Sequence, residues 1–188
     1  MAFELAARHG VYILGASGPV FTGPRPVNRA TLYGPDGIIG HQDKQIMTRF
    51  ERETWDVVAG TGLAPFDTDL GRIGVVICYD SEFPLLARNL VEAGAEILLA
   101  PSCTDSLAGF SRVQIGCRAR ALENQIAVLA SPTAGTAPWS PAMDENRGRA
   151  ALYVPPDYGM PATGIFAESG SDSVEESHWL ITTIDLAE

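Results

Sequence analysis

With 23 acidic against 13 basic side chains in 188 residues, the chain carries a net charge of −10 at pH 7. That balance disfavours nucleic acid and anionic membrane surfaces as partners, because both call for clustered Lys and Arg. A hydrophobic content of 46% supports one domain with a substantial core, and no apolar run reaches transmembrane length.

Three cysteines with no short-range framework exclude disulfides as the organising principle and imply a reduced, cytoplasmic setting. His9, His41 and His178 lie far apart and there is no Cys-x-x-Cys spacing, so neither a metal nor another cofactor is expected. No secretory signal is expected either, since Glu4 comes early and a basic leading segment is lacking.

In chain order, Met1 to His9 has helical composition and stops at Gly10, which suits a helix C-terminus. A domain opening on so short a helix is expected to lack its beginning. Val11–Leu14 predicts a buried strand, followed by a Gly/Ser/Pro turn region. A second strand is expected around Asn28–Tyr33, and Gly34-Pro35-Asp36-Gly37 is a turn signal leading through Ile38–Gly40 to Lys44. Residues Gln45 to Gly62 interleave Arg49, Glu51, Arg52 and Glu53 with Phe50 and Trp55, as in a long functional loop with at most a helical turn. Phe66–Leu70 approaches a strand.

The apolar run Ile73–Ile77 ends abruptly on Cys78, and polar residues and Pro84 follow as helix starters. A cysteine at a strand end is by default a small buried hydrophobe. A strand that delivers a thiol to a helix N-terminus can also build a nucleophile, since the helix end lowers a thiol pKa and offers free N–H groups to an oxyanion. The following helix carries Leu86, Leu90 and Ala93 on one face and closes at Gly94. Glu96–Ala100 is the next strand, Phe110–Gln125 the next helix and Ile126–Ala130 another strand, a βαβ succession. Thr133–Arg149 is a loop and Ala150–Val154 a strand. Ser169–Ser177 is acidic, Ser-rich and solvated, and Trp179–Ile184 alternates as a terminal strand.

Three stretches together resemble the nitrilase superfamily of carbon–nitrogen hydrolases: Asp43-Lys44 with a loop ending near Gly60; Gly71-Arg72-Ile73-Gly74 running to Cys78-Tyr79-Asp80 and Phe83-Pro84; and Gly94–Pro101 followed by Arg118–Gln125. The resemblance covers nearly the whole chain. It implies a single α/β domain over residues 1–188, a four-layer α/β/β/α sandwich assembled into homo-oligomers. It also implies a thiol hydrolase of small amide-type substrates, with Cys78 as nucleophile and Lys44 as the lysine of a Glu-Lys-Cys triad. Glu53 stands where a second glutamate would be, judged by its distance to Gly60, with Glu51 the runner-up. The Tyr79 N–H would join Lys44 in holding the oxyanion. The triad glutamate of the family lies upstream of the strand matched by Val11–Leu14, and Glu4 is not its equivalent. The chain is therefore expected to be N-terminally truncated, lacking the first strands and helix of the sandwich, and weak or inactive alone.

Within the superfamily, Cys78-Tyr79-Asp80 with Phe83-Pro84 resembles the amidase and carbamoyl-amide branches more than true nitrilases. Arg120 and Glu123 are expected to form an i,i+3 pair bracing the nucleophile turn, and Asp80 and Ser81 to cap the helix. Cys103 suits either pocket wall or core, Cys117 suits core, and Trp139 and Phe110 suit the pocket rim or an oligomer contact. Two other readings stay open. One is a non-catalytic relative that keeps the fold for binding or assembly. The other is an unrelated cysteine hydrolase using His9, His41 or His178 as base.

Overall fold

The computed structural model describes residues 1–140, 142–170 and 177–185. Apart from one two-stranded hairpin, its strands sort into two sheets with helices on their outer faces. The first helix, α1 (Ala2–His9), ends on Gly10 in the left-handed conformation and packs on the first sheet. That sheet holds β1 (Ile13–Leu14), β2 (Gly18–Phe21), β3 (Pro26–Gly34) and β4 (Gly37–Asp43). β1 and β2 both pair antiparallel with β3, and β4 forms the expected hairpin on its other side. The strand expected over Val11–Leu14 is thus shorter and only half-buried. β2 occupies the stretch expected to be turn, its Pro19 tolerated on an edge strand that needs fewer N–H donors.

After the short helix α2 (Arg49–Glu53), the chain enters β5 (Phe66–Thr68) and β6 (Gly71–Val75). A 3-10 turn over Cys78–Glu82 precedes α3 (Pro84–Glu92). Then come β7 (Ile97–Ser102), α4 (Leu107–Asn124) and β8 (Ala127–Pro132), a small hairpin of β9 (Gly135–Thr136) and β10 (Glu145–Asn146), and finally β11 (Ala151–Tyr153) and β12 (Ile165–Glu168). The second sheet runs β12-β11-β8-β7-β6-β5, with β6, β7 and β8 parallel, as βαβ succession requires.

Strand alternation decides what each face of this sheet meets. Leu98, Ala100, Val128 and Ala130 point to Leu90, Val113, Cys117 and Ala121 of α3 and α4. Val75, Ile77 and Leu99 point the other way, to Ala30 and Leu14 of the first sheet. Each fully buried Leu or Val here contributes about 1.5–3 kcal/mol. The order of layers is therefore α/β/β/α.

Two further expectations need correction. Trp179–Ile184 is no strand: its alternation finds no ladder partner among the described residues, and Trp179 and Ile181 are exposed. Phe110 sits buried in the first turn of α4, so its side chain serves the core rather than a pocket rim or an oligomer contact. The acidic stretch expected to be solvated falls mostly on residues 171–176, outside the described residues. Among the described residues, no helix is long and apolar enough to cross a membrane.

Candidate active site

The parallel strands β6 and β7 carry the chain to one end of the second sheet, where two residues lead from Val75 to Cys78. Cys78 adopts φ = +51°, a left-handed conformation uncommon for a residue with a Cβ. It opens the 3-10 turn, so the thiol does not stand at the N-terminus of α3, which begins six residues later at Pro84 with Phe83 as its cap residue. The turn is braced from α4: Arg120 Nη1 donates to the Ser81 carbonyl at 3.0 Å while its other nitrogens bind Glu123 at 2.9 and 3.0 Å. Ser81 Oγ donates back to the Cys78 carbonyl at 2.7 Å. Gly116 of α4 lies so close that an added Cβ would be 2.8 Å from the Ser81 carbonyl oxygen. Gly116→Ala is accordingly expected to destabilise the domain by about 1–3 kcal/mol and to displace the turn, measured by urea denaturation.

From the first sheet comes the charged partner. Lys44 follows β4 and is almost wholly buried, 2% exposed. Its N–H donates to the Asn28 carbonyl at 2.8 Å, and its carbonyl accepts from Gly60 N–H at 2.9 Å. Gly60 has to be small there, because a Cβ would lie 2.6 Å from that of Asp43. Lys44 Nζ donates to Glu51 Oε2 at 2.6 Å. That oxygen also accepts from Thr48 N–H and Oγ, each at 2.8 Å, and Oε1 accepts from Asn28 Nδ2 at 2.8 Å. Burial pushes the Glu51 carboxyl up, but Lys44, Thr48 and Asn28 together overcome it and hold it below the usual carboxylate range.

The carboxylate on the lysine is therefore Glu51, whereas the structure places Glu53 on the surface, paired with Arg49 at 2.9 Å and Arg52 at 3.3 Å. Counting along the chain favours Glu53, but residues two apart on a helix point to opposite sides. The discriminating signal is Thr48-Arg49-Phe50-Glu51, a capping box that turns its glutamate back toward the chain entering the helix.

Burial pushes the Cys78 thiol above its ordinary range, and the pull of Lys44 does not overcome it. The thiol is thus not acidified as a helix N-terminus would make it: the helix begins elsewhere, and the charge of Lys44 is shared with Glu51. Sγ lies 3.7 Å from the Cys103 carbonyl. Tyr79 is the second residue of the 3-10 turn, a position whose N–H has no partner within the turn. Its ring packs edge-on against Phe83 at 4.9 Å under the Arg112 guanidinium.

Cys103 also stands in the wall of a cavity of about 320 Å³ at the C-terminal ends of β7 and β8, shared with Leu14, Ser17, Ser131 and Thr133. Its own thiol donates to Asn146 Oδ1 at 2.9 Å. Cys117 is core, its thiol pushed up to about 12 by burial. Trp139 is exposed in the loop between β9 and β10. His41 is engaged with Thr31 at 2.8 Å on the first sheet. Among the described residues, no group of three His, Cys, Asp or Glu side chains could hold a metal ion.

The family model described as carbon-nitrogen hydrolase matches residues 2–156. "Probable hydrolase YhcX" of Bacillus subtilis is 39% identical over 166 residues, covering 88% of this chain and 32% of that protein. "Omega-amidase NIT2" of Danio rerio is 30% identical over 160 residues, covering 80% and 53%. Among solved structures, the Caenorhabditis elegans NitFhit protein superposes with a TM-score of 0.74 at 28% identity, over 92% of this chain and 42% of that one. Saccharomyces cerevisiae Nit3, described as a member of branch 10 of the nitrilase superfamily, gives 0.74 at 25% identity, over 90% and 59%. The chain thus spans between about a third and about half the length of these two curated relatives.

Proposed function

From the premise that this chain belongs to the carbon–nitrogen hydrolase family, we propose that it carries the nucleophile and oxyanion parts of a site that hydrolyses non-peptide amides. The observation that carries this reading is the buried Lys44–Glu51 pair set within electrostatic reach of Cys78. In the proposed reaction the Cys78 sulfur attacks the amide carbon as its proton leaves. Lys44 Nζ and the Tyr79 N–H stabilise the oxyanion of the tetrahedral intermediate. The amine departs with a proton, leaving a thioester on Cys78 that water then hydrolyses.

Those proton transfers need a carboxylate base. Glu51 is poorly suited, because Lys44, Thr48 and Asn28 occupy both of its oxygens and keep it ionised. We therefore place the base outside residues 1–188, with the strands that would carry it, so that these residues are weak or inactive alone. Supporting this, β1 ends its sheet without a second partner among the described residues. A cavity of about 540 Å³ also lies open between the two sheets, lined by Tyr12, Leu14, Leu32, Ile97, Leu99 and Leu129, apolar surface that added strands would cover.

The cavity bounded by Cys103 is the proposed seat of a small amide, and the likeness to an omega-amidase makes ω-amides of dicarboxylic acids the first substrates to try, ahead of carbamoyl amides and nitriles. Exposed Leu85, Leu107, Ile115 and Leu122 on α3 and α4 favour assembly into homo-oligomers. The acidic balance favours neither nucleic acid nor membrane, and free cysteines suit a reducing cytoplasm. The test is ammonia release and intact mass with that amide panel, for the 188-residue chain and for the same chain joined to the polypeptide encoded directly upstream. An acyl adduct on Cys78 in the longer protein is the expected result. No adduct and no ammonia from any amide with the longer protein would overturn the reading.

A further inference from the structure

The two halves of this site arrive from different sheets, and something has to fix one against the other. Lys44 is anchored to its own sheet and to α2, through Asn28, Gly60 and Glu51. None of these contacts reaches the turn that bears Cys78. Among the described residues, the hydrogen bonds that cross from the Lys44 segment to that turn all end on the Asp80 carboxylate. Ile46 N–H donates to Oδ1 at 2.8 Å, and Gln45 N–H is shared by both oxygens at 3.2 Å. From the strand end, Ile77 N–H donates to Oδ2 at 3.2 Å. Gln45 and Ile46 directly follow the lysine, and Ile77 directly precedes the cysteine.

We infer that Asp80 is a positioning residue, whose carboxylate ties the Lys44 segment to the nucleophile turn and so sets how closely the ammonium approaches the Cys78 thiol. The inference rests on Lys44 and Cys78 being the working pair. Asp80 caps no end of α3, whose cap residue Phe83 has no side-chain cap bond; its bond from Ile77 N–H closes the N-terminus of the 3-10 turn, and the donors from Gln45 and Ile46 come from outside that turn altogether. Asp80 is 2% exposed, so its oxygens have no ready exchange of these N–H donors for water, and burial pushes its carboxyl up to about 6. A buried carboxylate that meets three backbone donors from two segments is a joint, and a change there is transmitted to both.

The test reads the thiol directly and needs no amide substrate, so its outcome is separate from whether the chain hydrolyses amides. Alkylation of Cys78 by iodoacetamide is followed by peptide mass spectrometry from pH 7 to 10 in the wild type, Asp80→Asn, Lys44→Met and the double variant. The titratable groups facing the thiol are Lys44, Glu51, Cys103 and, from α4, Cys117. Asparagine keeps one acceptor oxygen and turns an NH₂ to the remaining donors, so it cannot accept from the Lys44 segment and from the strand end together, and the joint is broken on one side. Asp80→Asn is expected to move the Cys78 profile to higher pH, slowing alkylation at pH 8 by about tenfold for a profile displaced by about one pH unit. The double variant should be no slower than Lys44→Met.

Alkylation of Asp80→Asn as fast as wild type or faster, as a merely loosened turn would give by opening the thiol to solvent, overturns the inference. A Lys44→Met profile identical to wild type, or full additivity in the double variant, does so too. Should Asp80→Asn fail to fold, amide hydrogen exchange of wild-type Gln45 and Ile46 decides. Protection like that of β4 supports the joint, and exchange at free-loop rates overturns it.

Discussion

Replacing Cys78 with serine is expected to lower kcat/KM for amide hydrolysis by about 10³-fold or more and to abolish the covalent adduct, with the unfolding transition in urea unmoved. Stability should hold because the sulfur has little structural work: among the described residues its hydrogen-bonding contact is the long, 3.7 Å approach to the Cys103 carbonyl. The left-handed backbone at this position is as uncomfortable for serine as for cysteine. Chemistry should not survive, because a buried hydroxyl beside a lysine shared with Glu51 is a far weaker nucleophile than a thiol. Steady-state ammonia release and intact mass, on the longer protein proposed above, provide the measurement. Turnover retained at half the wild-type rate would remove Cys78 from the reaction and direct attention to Cys103, the cysteine in the cavity wall.

The second large effect separates two glutamates that sit two residues apart. Glu51→Gln leaves the ammonium of Lys44 buried without its counter-charge, and breaking such a pair from one side costs about 3–5 kcal/mol. Turnover is expected to fall with it, because an ammonium freed from Glu51 no longer holds a single position beside the thiol. Glu53→Gln should change neither stability nor turnover, since Glu53 lies on the surface with Arg49 and Arg52. Acid supplies a further check. The folded Glu51 carboxyl lies below its ordinary value of 4.5, so the stability it contributes is present above that value and is lost as pH falls through the folded pKa. Urea denaturation at several pH values should therefore show wild type and Glu51→Gln far apart near neutrality and converging in acid, with Glu53→Gln following the wild type throughout.

What the sequence makes legible follows from the range of the forces involved. The β6–β7–β8 core and the helices between them are visible because long apolar runs and helical periodicity are local signals. The clamp of Arg120 and Glu123 on the nucleophile turn is readable as an i,i+3 pair on a long helix. The 3-10 turn between Cys78 and Pro84 is not, since five residues carry no periodicity, and the residues after the thiol mimic a helix start. β12 and the β9–β10 hairpin are too short to signal themselves, and Trp179–Ile184 shows that alternation without a partner makes no strand. The role of Asp80 is illegible because its partners Gln45 and Ile46 lie 35 and 34 positions away. Only the apposition of two sheets brings them within hydrogen-bonding range.

The backbone of Cys78 also bears on whether this domain exists for chemistry or for scaffolding alone. At φ = +51° any side chain with a Cβ is disfavoured, by about 1–2 kcal/mol, while glycine adopts the same conformation freely. A domain retained only to bind or assemble would gain stability from glycine at this turn. The sequence instead keeps sulfur at a site where conformational energy favours hydrogen. Asp56 and Gln125 share this backbone, Gln125 as the cap that ends α4, but Cys78 ends no helix, and a cysteine kept there weighs against a purely structural role for the turn.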